Sequence, residues 1–160
     1  MKKALVVIAC MAALAVLMVV QSAAARGKLE GVWKVTQITF TGPNARTVNP
    51  IEPGIWIFTK KHASYVSVYS DTPRLPLPPN DATDAQKAAA WTPFNAAAST
   101  YEVNGSTVTF HTIVTKRLTK PGELITSDFK IDGNTLSITP KAYEAGPYAN
   151  PITFKLVRLE

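Results

Sequence analysis

The chain has 160 residues, of which 46% are hydrophobic and 18% charged, with a formal net charge of +6. This length fits one domain. The positive charge is mild and scattered, which argues against a nucleic-acid partner, because nucleic-acid-binding proteins usually cluster lysine and arginine on one face. Cys10 is the single cysteine and lies in the N-terminal apolar segment. The remainder of the chain is therefore expected to form neither a disulfide nor a thiolate metal site.

The N-terminus has the three parts of an export signal. Lys2 and Lys3 precede an unbroken apolar run over residues 4–20, and Ala23 and Ala25 place small residues at the −3 and −1 positions of a cleavage site. We predict a signal peptide over residues 1–25, a domain over residues 26–160, and a periplasmic or secreted protein without a stable membrane anchor. Cleavage after Ala24 is an alternative. An uncleaved anchor is another, with an apolar run at the lower limit of a span.

The rest of the chain is rich in threonine, with many valines and isoleucines, in short runs bounded by turn-forming residues, which is typical of β structure. Eight strands are predicted near residues 32–40, 54–59, 64–69, 99–103, 107–116, 124–131, 135–139 and 152–159. The pairs Asn104-Gly105 and Asp132-Gly133 supply the positive φ angles that tight hairpins need. The last five strands are therefore predicted to form an antiparallel meander.

A helical excursion is predicted between the third and fourth strands. Four prolines within residues 70–79 indicate an extended loop. Thr83 and Gln86 then fit a capping box, followed by an alanine-rich helix over residues 85–91 and a further helical turn over residues 94–98. Such an excursion is either a lid or a helix that plugs one end of the fold, and the sequence leaves both interpretations open.

Most predicted strands have one apolar and one polar face, as in a sandwich or a closed barrel, and meander connectivity favours the barrel. In the first strand, Trp33, Val35, Gln37 and Thr39 share a face that becomes polar away from Trp33. That pattern is the one expected for a cup whose interior becomes polar toward its mouth.

The fifth strand is predicted to divide in the same way. Val108, Phe110 and Val114 are expected on its apolar face. Its other face is expected to carry Thr107, Thr109, His111 and Thr115. If the apolar face is the interior, His111 is a surface residue, and otherwise it belongs to a pocket.

Gly31-Val32-Trp33 at the start of the first strand and Arg158 at the end of the last resemble the lipocalin signature. Further segments in the same order resemble the bacterial lipocalin-like domain family over most of residues 29–159, namely residues 54–59, 65–67, 101–105, 108–111 and 129–136. The resemblance implies an all-β, eight-stranded antiparallel up-and-down barrel with a helical insertion between strands 3 and 4. It also implies that Trp33 closes the barrel floor and that Arg158 packs across the indole, as a cation–π contact would.

Aromatic residues indicate where a ligand is expected. They concentrate in the second to fourth strands and the excursion, as Trp56, Phe58, Tyr65, Tyr69, Trp91, Phe94 and Tyr101. Ligand pockets are mainly apolar with a few hydroxyl groups, and an eight-stranded barrel either fills its interior or holds one small ligand. The predicted ligand-binding residues are Trp56, Tyr65, Tyr69, Tyr101 and His111.

No catalytic motif is present, and the two histidines lack metal-site spacing, so we expect no metal and no cofactor. The preferred hypothesis is an exported, monomeric lipocalin-like barrel that binds a small apolar or amphipathic molecule without catalysis. The molecule is expected to enter beside residues 70–98. One alternative is a barrel enzyme of the isomerase or cyclase type, using Tyr65, Tyr101 or His111 in acid–base chemistry. The other is a filled barrel with a structural or interaction role in the cell envelope.

Overall fold

The computed structural model describes residues 27–52, 54–117, 122–143 and 146–160. The predicted signal peptide lies outside the described residues. The strands are β1 (Gly31–Phe40), β2 (Arg46–Val48), β3 (Ile55–Phe58), β4 (His62–Val68), β5 (Phe94–Asn104), β6 (Thr107–Thr115), β7 (Leu124–Asp132), β8 (Thr135–Tyr143), β9 (Gly146–Pro147) and β10 (Ile152–Arg158). A 3₁₀ helix covers Gly42–Asn44 and an α-helix, α1, covers Asp84–Trp91.

Across the described residues, eight of these strands form a closed antiparallel barrel. The order β1, β3, β4, β5, β6, β7, β8 and β10 follows the chain, and β10 closes the barrel by pairing with both β8 and β1. The short strands β2 and β9 add to β1 and β8. The predicted all-β antiparallel barrel is confirmed. Closure leaves the eight strands without free edges.

The excursion between β4 and β5 contains α1. The Thr83 hydroxyl accepts a hydrogen bond from the Gln86 amide, and the Gln86 side chain accepts one from the Thr83 amide, so both halves of a capping box are present. No residue of α1 is buried. The helical turn predicted over residues 94–98 is wrong, because these residues form the first half of β5 and pair with β4. Ladder pairing in the barrel overrides the helix propensity of the alanines there.

A β-bulge at Thr36 changes which residues of β1 face inward. The register with β10 passes from Val35 opposite Leu156 to Gln37 opposite Lys155, so one residue of β1 is extra. Beyond the bulge, Ile38 is fully buried. The predicted inward face is therefore wrong after Val35, because an extra residue reverses the alternation and Gln37 reaches Asn49 on the outside instead.

A second bulge, at Ile113, has the same effect in β6. Ala98 pairs with Val114 while Ser99 pairs with Thr112. Val114 is 61% exposed, whereas Thr112 is buried. The prediction that Val114 lies with Val108 and Phe110 on the apolar face is therefore wrong, for the same reason of parity.

The barrel is filled at the end where β1 begins and β10 ends. Buried apolar side chains at this end include Leu29, Trp33, Val35, Phe58, Val103, Val108, Leu136 and Leu156. Each such side chain contributes about 1.5–3 kcal/mol through its removal from water.

Within the described residues, no helix is long and apolar enough to cross a membrane.

Candidate functional site

The closed end of the barrel holds Trp33 and Arg158, which lie opposite each other in the β1–β10 ladder. The guanidinium carbon of Arg158 lies 4.0 Å from the centroid of the Trp33 ring. The same guanidinium donates hydrogen bonds to the carbonyls of Lys28 and Glu30. The indole N–H of Trp33 donates to the Leu29 carbonyl at 2.8 Å. This end is thus covered, and its polar groups are satisfied.

The opposite half of the barrel encloses a cavity of about 390 Å³. Its lining comes from the described parts of β3 to β8 and β10 and of the connections after β4, β6 and β8: Trp56, Ala63, Ser64, Tyr65, Tyr69, Ala97, Ser99, Phe110, Thr112, Thr115, Arg117, Glu123, Ile125, Ser127, Pro140, Tyr143, Tyr148, Ala149, Ile152 and Phe154. Arg117, Tyr143 and Ala149 in this lining are exposed, which places an opening beside the described parts of the β6–β7 and β8–β10 connections; Ser64 of β4 is exposed as well. Residues of α1 do not contribute to the described lining.

Aromatic rings form one wall of the cavity. Trp56 and Tyr65 are cross-strand partners in β3 and β4, and their rings stack with centroids 4.8 Å apart. Phe154 of β10 lies 5.3 Å from Trp56 and 5.5 Å from Tyr69. Offset rings at these separations attract each other and hold their side chains in fixed positions. The wall is therefore a preformed apolar surface suited to flat hydrocarbon groups.

Phenol groups give the cavity its hydroxyl character. Burial raises the pKa of Tyr65 and of Tyr148, and it raises the pKa of Tyr69 well above its usual value. The positive charge of Arg117 acts in the opposite direction on the pKa of all three. Because burial is the larger effect, the phenols stay protonated at neutral pH, and the Tyr65 and Tyr69 hydroxyls interact with each other.

Two further polar atoms of the lining have no hydrogen-bond partner among the described residues. They are the indole nitrogen of Trp56 and the hydroxyl oxygen of Ser127. Trp56 is only 5% exposed, and Ser127 is fully buried. A buried N–H or O–H without a partner is unfavourable by about 1–3 kcal/mol. The contrast with Trp33, whose indole N–H is satisfied by the chain itself, marks these two groups as unusual.

Among the described lining residues, formal charge at neutral pH is confined to Arg117 and Glu123. Both residues lie in the connection between β6 and β7, and Arg117 is exposed. The deeper lining consists of aromatic, aliphatic and hydroxyl side chains. The described part of the deeper lining therefore carries no formal charge, and it disfavours burial of a charged group that has no partner.

The structure brings three of the five predicted ligand-binding residues together, since Trp56, Tyr65 and Tyr69 all line the cavity. Tyr101 lies deeper, 3% exposed against Phe58, and its hydroxyl donates to the Thr59 carbonyl at 2.7 Å. His111 is outside the described lining. Its side chain is 40% exposed, with Nε2 4.0 Å from a carboxylate oxygen of Glu102.

Sequence reasoning missed several lining residues. Ser127 lies between Ile125 and Phe129 on an alternating face of β7, and strict period-2 reading would have placed it inside. Phe154 carried the same signal in β10. Arg117, Glu123 and Tyr148 lie in connections, where no periodicity indicates the direction of a side chain.

Within the described ranges, no group of three or more histidine, cysteine, aspartate or glutamate residues is placed to hold a metal ion. What the site offers instead is an apolar chamber with hydroxyl and indole donors.

Comparison with protein-family models, with curated proteins and with solved structures gives no match for this chain.

Proposed function

We propose that this protein is an exported, lipocalin-like barrel that binds a small, largely apolar molecule in its interior and does not convert it chemically. The observation that carries the proposal is the cavity of about 390 Å³, walled by aromatic rings and closed at the Trp33 end. Its volume is within the usual range of small-molecule sites, and eight-stranded barrels have room for one such ligand.

Binding is favoured over acid–base catalysis by the chemistry of the lining. A proton-abstracting group must be deprotonated, but burial keeps Tyr65 and Tyr69 in their neutral form. His111 is not among the described lining residues, and Tyr101 donates its hydroxyl proton to a backbone carbonyl. Glu123 is the carboxylate of the described lining, and the Tyr148 phenol, which interacts with its charge, has a pKa raised mainly by burial and stays neutral.

The first experiment measures the thermal stability of the mature protein with a panel of neutral apolar compounds, alongside native mass spectrometry of freshly purified material. A ligand at 100 times its dissociation constant stabilises the folded state by about 2.7 kcal/mol, which raises Tm by roughly 5–10 °C for a domain of this size. Enzymatic turnover of a bound compound would favour the enzyme alternative. Absence of binding across the panel and of co-purified ligand would favour the filled-barrel alternative.

A matched pair of variants assigns the binding to the cavity. Ala97 lines the chamber, whereas its neighbour Ala98 faces outward opposite exposed Val114. Ala97→Phe places a ring in the cavity and is expected to weaken binding at least ten-fold, while Ala98→Phe leaves it within two-fold. Equal effects of the two variants would place the ligand elsewhere on the molecule.

Export is supported by residues 1–25, with two lysines, an apolar run and small residues before the expected cleavage site. N-terminal sequencing of protein from the periplasm or medium is expected to begin at Ala25 or Arg26. Recovery of the chain from membranes with Met1 intact would instead indicate an uncleaved anchor.

A further inference from the structure

We propose that the ligand is an uncharged molecule with a flat, apolar body and a carbonyl-type hydrogen-bond acceptor, which receives hydrogen bonds from the indole N–H of Trp56 and the hydroxyl of Ser127. This inference rests on the binding function proposed above. It specifies the chemical class of the ligand and the two side chains that select it.

The first step is the chemistry of the two unpartnered groups. An indole N–H is a donor only, so nothing but an acceptor satisfies it, and a serine hydroxyl can rotate to donate to the same kind of atom. Both side chains line the cavity and are at least nine-tenths buried. Buried polar groups in folded proteins are nearly always hydrogen-bonded, and exceptions call for an explanation. An acceptor on the ligand is the partner that the cavity lining itself does not provide.

Two other buried donors in the barrel are satisfied by the chain itself. The indole N–H of Trp33 donates to the Leu29 carbonyl, and the Tyr101 hydroxyl donates to the Thr59 carbonyl. Both of these contacts are made at the filled part of the barrel. Unsatisfied Trp56 and Ser127, in contrast, border the chamber. Ser67 Oγ and His111 Nε2 also have no partner among the described residues, but they lie outside the described lining, so Trp56 and Ser127 are the two unpartnered groups that a ligand in the chamber can reach.

The second step is the charge of the acceptor. A carboxylate or phosphate would need a cation close to it in this chamber, because an unpaired buried charge is strongly unfavourable. Among the described lining residues, Arg117 is the cation, its side chain is exposed, and the same connection also carries the carboxylate of Glu123. The interior therefore suits a neutral acceptor such as a ketone, ester or amide carbonyl.

The third step is the shape of the remaining part of the ligand. The ring of Trp56 stacks on Tyr65 at an interplanar angle of 18° and lies near Phe154, and Ile125 and Ile152 also line the chamber. Side chains of this kind pack well against planar unsaturated or fused-ring groups. A donor at the edge of the Trp56 ring favours a ligand whose acceptor is attached directly to its flat body.

The test uses two probes that differ in one atom group: 2-acetylnaphthalene, which has a carbonyl, and 2-isopropenylnaphthalene, in which a C=CH₂ group replaces it. Dissociation constants are measured by equilibrium dialysis for the wild type and for Trp56→Phe, Ser127→Ala and the double variant. A third probe, 2-naphthoate, tests a charged acceptor. Circular dichroism melting confirms that each variant is folded.

We expect the wild type to bind the ketone at least ten-fold more tightly than the alkene and to bind naphthoate more weakly than the ketone. Each single variant is expected to reduce the ketone preference about three- to ten-fold, the range that one hydrogen bond supports, with alkene binding within two-fold. The double variant is expected to abolish the preference. Two substitutions at exposed residues serve as controls: Trp91→Phe in α1 and Ser106→Ala in the β5–β6 turn. Both are expected to retain the ketone preference.

Failure of this inference can be distinguished from failure of the binding function. Equal affinity for ketone and alkene in the wild type, stronger binding of naphthoate, or a preference unaffected by both variants would each overturn the inference while the cavity remains a binding site. Failure of both neutral naphthalenes to bind would also overturn it. The binding function itself fails only if the broader apolar panel and the co-purification experiment give no ligand.

Discussion

Arg158 combines two roles in one side chain. Its guanidinium covers the Trp33 ring and also donates to the carbonyls of Lys28 and Glu30, which precede β1. Gly31 makes this possible, since it has a φ of +129° and a Cβ atom there would lie 2.2 Å from the Glu160 carbonyl oxygen. The last strand is thereby attached to the start of the first strand by side-chain as well as ladder contacts.

A double-mutant cycle measures this coupling. Trp33→Ala is expected to reduce the free energy of unfolding by about 3–5 kcal/mol, as truncations of large buried rings do. Arg158→Ala is expected to reduce it by about 1–3 kcal/mol through lost stacking and packing. Because the two side chains touch, the double variant should lose less than the sum of the single losses.

Urea denaturation provides the measurement, and Lys155→Ala provides the control, since Lys155 is exposed on the same strand. Combined with Trp33→Ala, the control substitution is expected to be additive. Strict additivity of the Trp33 and Arg158 substitutions would show that the contact contributes no coupling energy.

Bulges are the element-scale feature that shapes the cavity. In addition to those at Thr36 and Ile113, the β7–β8 register shifts between Thr126 and Ser127, where an extra residue lies in β8 beside Pro140. Bulges bend a strand and redirect its side chains. At these positions they bring Thr112 and Thr115 toward the chamber and turn Val114 away from it.

The position of α1 depends on a contact from β6. The Lys116 ammonium, just after β6, donates to the carbonyls of Trp91 and Thr92 at 2.8 and 3.1 Å and lies 5.3 Å from the centroid of the Trp91 ring. Cations at the C-terminus of a helix satisfy carbonyls that have no partner within the helix. Since no residue of α1 is buried, this contact and the packing of the Trp91 ring against Phe94 are the interactions to which we assign the position of the helix.

Lys116→Met tests that assignment, because it keeps most of the apolar stem and removes the ammonium. The substitution is expected to weaken local helix stability by about 1 kcal/mol, which corresponds to roughly five-fold faster hydrogen exchange in α1. Global unfolding by urea should change by less than about 0.5 kcal/mol. Lys87→Met, which removes an exposed partner of Asp84, is the control and should leave exchange unchanged within about two-fold. Equal exchange rates in the two variants would contradict the assignment.

At the scale of the whole molecule, the barrel is closed by residues from the two ends of the described chain. The Leu159 amide donates to the Val32 carbonyl at 2.7 Å, and the Val32 amide donates to the Glu160 carbonyl at 3.2 Å. The seam between β1 and β10 is therefore held without a covalent link. A linker between these ends should preserve the architecture, because the ends lie close together. The chain can then be opened elsewhere, because exposed tight turns tolerate new termini.

A circular permutant makes this testable. A short Gly/Ser linker would join Glu160 to Lys28, with new termini between Gly105 and Ser106 in the exposed β5–β6 turn. Cooperative unfolding is expected, with the free energy of unfolding within about 3 kcal/mol of the parent, because the cut costs only the closure of one hairpin. New termini inside β7, between Ser127 and Asp128, are expected to prevent folding. Folding of both permutants to equal stability would argue against a barrel held by continuous strands.

The sequence by itself determined the strand pattern, the hairpin turns and the closed antiparallel class, because period-2 alternation and the Asn-Gly and Asp-Gly turns act locally. It also located three aromatic residues that line the cavity: Trp56, Tyr65 and Tyr69. Trp56 in β3, Tyr65 in β4 and Tyr69 just after β4 carry that signal through their aromatic side chains, without reference to any other strand.

Only the tertiary structure decided where alternation breaks and what the chamber contains. The bulges at Thr36 and Ile113 depend on the register with a neighbouring strand, so no property of β1 or β6 alone reveals them. Residues 94–98 form a strand and not a helical turn, because this alanine-rich segment pairs with β4. The unpartnered donors of Trp56 and Ser127 are likewise a property of the closed barrel. Burial and the lack of a nearby acceptor arise only when strands distant in the sequence surround the same space.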